Sequence, residues 1–249
     1  MSFNTLRGTS VFAGLFAAAA LCLSANAGVV APDLQFYLQV GDANPIEFYP
    51  VGTPTGPDTW HWEGGYTDPN GQWDMPLFSI DGDTDPMVNS FIAFQNNSGV
   101  TQIYTITVLL PVAPIPGASL MDGSVGGSVT DANGSGSATA AAIAGSSIYQ
   151  GLVDSAPAFG PASALLPFPY AATVPVSGGT SSIGPASFGQ PVPIPGPGVA
   201  TNIGIQLQFS LTAGDSIAMT SFFRVVPVPT PGALALLGVA GLVTRRRRR

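Results

Sequence analysis

Apolar side chains recur at every second position through much of this chain, the period of a strand that buries one face and shows the other to water. Leu34, Phe36, Leu38 and Val40 alternate with Gln35, Tyr37 and Gln39, and Ile203, Ile205, Leu207, Phe209 and Leu211 alternate with Gly204, Gln206, Gln208 and Ser210. Thr212-Ala213-Gly214-Asp215 then predicts a turn into a returning strand with Ile217, Met219 and Phe223 on its apolar face, which makes a hairpin. A second hairpin is predicted between residues 91–95 and 102–110 across Asn96-Asn97-Ser98-Gly99, because Asn and Gly tolerate the positive φ of tight turns. Shorter strands are expected over 46–49, 60–63, 72–80, 124–130 and 148–153. Many short strands between Gly/Pro turns predict an all-β fold, an antiparallel β-sandwich, with jelly-roll and immunoglobulin-like arrangements both open.

Two stretches interrupt the alternation. Residues 132–147 are rich in Gly, Ser and Ala and are read as strand edges plus loop in preference to a short helix over 138–144. Residues 157–198 hold ten prolines, too dense for inner strands, which cannot lose ladder donors. A long loop or an edge-running wrap is expected there, laid on the body through Leu165, Leu166, Phe168 and Tyr170. No fixed-period repeat is visible, so a solenoid has no support.

Composition narrows the chemistry. Gly (31) and Pro (24) disfavour long helices in these 249 residues. The chain contains no Lys, which excludes a P-loop amine and Schiff-base catalysis. One Cys and one His cannot build a zinc site, which takes about four ligands mostly of those types. All fourteen acidic residues fall between the chain ends, where Arg224 is the single base, so the body carries a net charge of about −13. Such a surface repels phosphate backbones, and nucleic acid is excluded as a partner.

Both ends read as addresses. Arg7, the apolar run 11–23 and Ala25-Asn26-Ala27 are the three parts of a secretory signal peptide, with cleavage by signal peptidase expected after Ala27. The other end runs Pro229-Thr230-Pro231, then GALALLGVAGLV, then Thr244 and Arg245, Arg246, Arg247, Arg248 and Arg249. Twelve apolar residues rise only about 18 Å as a helix, and the arginines form a cytoplasmic stop under the positive-inside rule. On these residues the tail resembles the PEP-CTERM sorting signal, the ice-binding-protein C-terminal motif, with Thr230 where that motif has Glu. The resemblance implies export, handling by a membrane exosortase and release to the envelope or an extracellular polysaccharide matrix of a Gram-negative bacterium, with transient inner-membrane anchoring. The chain divides accordingly into a signal peptide (1–27), a body (28–226) and a sorting segment with a short hydrophobic helix (227–249).

Three constellations within the body carry candidate chemistry. Asp81-Gly82-Asp83-Thr84-Asp85 places three carboxylates at alternate positions, as calcium ligands would be, although Pro86 and Ile92 break the EF-hand pattern; the polar-turn reading is preferred. Trp60 and Trp62, with Tyr66 nearby, offer flat faces to a sugar ring, against the favoured alternative that the indoles pack the core. His61 and Glu63 then point the other way, and neither orientation makes a catalytic triad. Glu47, Glu63 and the twelve Asp residues supply carboxylate pairs without an identifiable acid–base motif, so no enzyme activity and no cofactor is expected. The expected role is a secreted structural or interaction protein. A carbohydrate-binding module, with exopolysaccharide as partner, is the alternative, and ice-binding or hydrolysis comes third.

Overall fold

The computed structural model describes residues 31–83, 85–158 and 163–228. Among them there is no α-helix, and no helix long and apolar enough to cross a membrane. The predicted signal peptide and the sorting segment from Pro229 onward lie outside the described residues.

The first half of the body contributes β1 (Gln35–Val40), β2 (Ile46–Phe48), β3 (Thr53–Pro54), β4 (Thr59–Thr67), β5 (Trp73–Asp83), β6 (Met87–Asn96), β7 (Gln102–Pro111) and β8 (Ser119–Thr130). The second half contributes β9 (Ala138–Ala141), β10 (Ser147–Val153), β11 (Ala156–Pro157), β12 (Ala164–Pro167) and β13 (Ala171–Val174). It ends with β14 (Thr180–Phe188), β15 (Ile194–Gly196), β16 (Asn202–Leu211) and β17 (Ser216–Pro227). One sheet has the order β11-β10-β16-β7-β1-β2, with β12 beside β10 and the pair β9, β13 beside β16. The other runs β14-β8-β17-β6-β5-β4-β3, with β15 continuing beside β8. All pairings are antiparallel, and the two sheets pack face to face as a β-sandwich.

From β6 onward the chain changes sheet at six of its eleven connections, between β6 and β9, from β13 to β14 and between β15 and β17. The neighbours β6-β17-β8-β14 face β7-β16-β10-β12, which is the strand order of a jelly roll, with β1 to β5 extending both sheets on one side. Consecutive hairpins within one sheet join β3, β4, β5 and β6, ahead of the jelly-roll crossovers.

Neither predicted hairpin exists. β6 pairs with β5 and β17, whereas β7 pairs with β1 and β16 in the opposite sheet. β16 and β17 likewise lie in different sheets. Both turns are arches across the core, and both strands of each pair point their apolar face at the other sheet. The Pro-rich stretch is also more ordered than a long loop: it forms β12 to β15, all at sheet edges, and Gly184 and Pro185 fall at a bulge in β14 where the ladder to β8 shifts register. Residues 132–147 hold β9 between loops, as expected.

Inward side chains form one core. Phe78, Phe36, Phe48, Tyr66, Trp73, Phe94 and Tyr104 follow one another with ring centroids 4.4 to 5.7 Å apart. Full burial of each such ring contributes about 1.5–3 kcal/mol, and this burial replaces the disulfides the body cannot form.

Candidate functional site

The register of the ladders decides what each outer face presents. On β4 and β5 the pairs Trp60↔Gly82 and Trp62↔Ile80 put the indoles between the sheets, where Trp60 is 4% and Trp62 1% exposed. Room for them comes from glycine: a Cβ on Gly82 would stand 2.9 Å from Trp62 Cζ3, and one on Gly52 2.5 Å from Trp62 Nε1. Tyr66 stacks on Trp73 at 5.5 Å and packs edge-on against Phe48. The glycan platform proposed for Trp60, Trp62 and Tyr66 is therefore corrected, since two of its three rings are closed to any sugar by core packing.

The outward neighbours of the indoles form a charged patch. His61 Nδ1 lies 2.7 Å from Asp81 Oδ1 across the β4–β5 ladder, and its Nε2 lies 3.5 Å from Glu63. The hydrogen bond to Asp81 raises the imidazole above its ordinary value against the opposing effect of burial, with Glu63 adding to the rise. Asp81 is thus engaged by His61. Asp83 Oδ1 accepts the Asp85 N–H at 2.9 Å, and Asp85 sits in the turn beyond the strand. Asp81, Asp83 and Asp85 do not converge on a point, and among the described residues no group of three His, Cys, Asp or Glu side chains is arranged to hold a metal ion. The calcium-loop alternative thus gains no ligand set from the described residues, and the Asp83–Asp85 bond is the kind a polar turn makes.

On the same outer face Arg224 makes a two-pronged ion pair with Asp122, at 2.9 and 2.8 Å. A shallow cleft of about 310 Å³ between β2 and β4 brings Glu47 and Glu63 to one lining. Both are exposed, and Glu47 lies opposite Tyr37 across the β1–β2 ladder.

The outer face of the other sheet differs in kind. Gln150, Gln206, Thr107 and Tyr37 occupy one row across β10, β16, β7 and β1. The next row carries Gln208, Thr105 and Gln39. From β10 to β1 no outward side chain is charged, in a body that carries fourteen acids. The amides are braced: Gln206 Nε2 donates to Thr107 Oγ1 at 3.5 Å, Gln208 Nε2 to Thr105 Oγ1 at 3.1 Å, and Ser146 donates to Gln208 Oε1. At the β10 end the face opens into a cavity of about 630 Å³ lined by Ser146, Gln150, Gln206, Pro167 and the half-exposed ring of Phe168.

Sequence alternation marks Gln206 and Gln208 as outward, but their row partners depend on a pairing between strands roughly a hundred residues apart. No local signal identifies them. Comparison of the chain with protein-family models, with curated proteins and with solved structures gives no match.

Proposed function

We propose that this chain is an exported structural or interaction protein of the bacterial envelope or its extracellular polysaccharide matrix, without catalysis, led out by residues 1–27 and sorted through residues 227–249. The observation that supports the non-catalytic part is what the body's best-placed ionic groups do. Asp154 closes the loop before β16 by accepting the N–H groups of Ala200 and Thr201, Asp131 gathers those of Ser135, Gly136 and Gly178, and Asp122 holds Arg224. These carboxylates bind the fold together. Export and sorting are supported by the three-part pattern at each chain end, and the interaction role by a broad uncharged face on an otherwise acidic sandwich. Signal peptidase and an exosortase-type enzyme are the processing partners.

The test is fractionation of the native host with sequencing of the mature termini. Export predicts a new N-terminus after Ala27 and a protein recovered from envelope or matrix; a cytoplasmic product that keeps Met1 and Arg249 refutes the reading. Replacing the five terminal arginines by Ser is expected to leave the tail unprocessed, because positive charge sets its retention.

A further inference from the structure

We propose that the uncharged outer face of the β10-β16-β7-β1 sheet, with the cavity at Gln150 and Gln206 at one end, binds a neutral, extended, β-linked polysaccharide chain. The proposal rests on the matrix reading for where such a chain is met, and on four features of the face for its chemistry.

Amide side chains present a donor and an acceptor side by side, the complement of neighbouring sugar hydroxyls, which also donate and accept. Here the amides lie in register across adjacent strands. Strands stand about 4.8 Å apart, close to the rise of one hexopyranose unit along an extended β-linked chain, so successive sugars running across the strands meet Gln150, Gln206, Thr107 and Tyr37 in turn along one row. Bonds from Gln206 to Thr107 and from Gln208 to Thr105 hold the amides in place before binding, which lowers the ordering cost. Phe168, 54% exposed on the cavity rim, supplies a flat apolar face for the C–H side of a sugar ring.

Charge selects the class. A body near −13 repels uronic-acid and sulfated chains, and among the described residues the one carboxylate on the strands of this sheet, Glu47, lies beyond β1 on the edge strand β2. A neutral glycan meets no such opposition.

Native-gel affinity electrophoresis of the full chain tests this, with hydroxyethyl cellulose, mixed-linkage β-glucan or alginate cast into the gel. Retardation is expected in at least one neutral gel and none in alginate. Gln206→Ala with Gln208→Ala is expected to weaken the apparent affinity about tenfold. Phe168→Leu, in an exposed turn that leaves the ladders intact, is expected to weaken it comparably, and Glu63→Gln on the opposite face leaves it unchanged. No retardation in either neutral gel, equal retardation in alginate, or full retention by a folded Phe168→Leu protein overturns the site. Because fractionation reads location and the gel reads binding, a matrix protein that ignores glucans defeats this inference alone, and a cytoplasmic protein that binds them defeats the location alone.

Discussion

Carboxylates of one residue type take opposite roles in this sandwich according to the donors around them. Burial works against ionisation of Asp154, but the N–H groups of Thr201 and Ala200 and the Thr201 hydroxyl outweigh it and hold the group below the ordinary carboxylate value. Asp131 is held low in the same way, against burial, by Gly136, Gly178 and Ser135. Asp215, which is fully buried, goes up: burial is the main cause, and the negative charge of Asp131 beside it adds to the rise against the Thr212 hydroxyl bond. The consequences for pH have opposite signs. Asp131 and Asp154 stabilise the fold above the ordinary value of about 3.9 and lose that contribution as pH falls through their depressed folded values. Asp215 contributes fully below about 3.9 and loses it as pH rises through its raised folded value. Asn at this position imitates the neutral acid. Asp215→Asn is therefore expected to melt above the parent protein on the alkaline side and to match it in acid, read from melting temperature against pH. Coincident curves across the range would show that Asp215 titrates as an ordinary surface carboxylate.

Elements were legible one at a time, and their partners were not. Alternation located β1, β7, β16 and β17 because a half-buried strand must alternate. It could not tell a partner in the same sheet from one across the core, since in a sandwich both lie on the apolar side. Asn96 shows what the turn-like sequence is for. It is fully buried at the end of β6, and its Nδ2 donates to the carbonyls of Val100, Leu211 and Thr212 at 2.9, 2.9 and 3.0 Å. Its Oδ1 accepts from Ser98, and its backbone exchanges bonds with Asp215 and Gly214 of the other arch. One side chain thus ties the β6–β7 arch to the β16–β17 arch. Removing it takes a donor from three carbonyls and the acceptor from Ser98 at once, with Val100 O keeping the Ser98 hydroxyl and Thr212 O the Asp215 N–H, so Asn96→Ala is expected to cost about 2–3 kcal/mol. In a domain of this size that lowers the melting temperature by roughly 5–10 °C. The exposed neighbour Asn97→Ala is expected to change stability by less than about 0.5 kcal/mol. Similar losses from both substitutions would mean that Asn96 is a turn residue and no more.

At the scale of the whole molecule, charge was readable in amount and hidden in arrangement. The fourteen acids and single base follow from the sequence alone, but their segregation depends on which strands share a sheet: His61, Glu63, Asp81, Asp83 and the Asp122–Arg224 pair line one outer face, and Gln and Thr line the other. The same dependence places the aromatic groups, with Trp60 and Trp62 inside, as the favoured reading had them, and Phe168 on the surface. A molecule near −13 has its compact state opposed by self-repulsion, which cations relieve. Two mechanisms of relief have different signatures. A calcium site adds RT ln(1 + [L]/Kd), about 2.7 kcal/mol at a hundredfold excess over Kd, and acts for calcium alone. Diffuse screening depends on ionic strength, with a Debye length of about 8 Å at 0.15 M, and ignores the identity of the salt to first order. Since Asp81 faces His61 and Asp83 caps Asp85, screening is the expected mechanism: calcium chloride, magnesium chloride and sodium chloride at matched ionic strength should raise the melting temperature alike. Triple substitution of Asp81, Asp83 and Asp85 by Asn should then shrink the rise in all three salts by a similar proportion, because it removes charge and no ligand set. A surplus rise in calcium that the triple variant abolishes would restore the loop site and show that the turn rearranges around the ion.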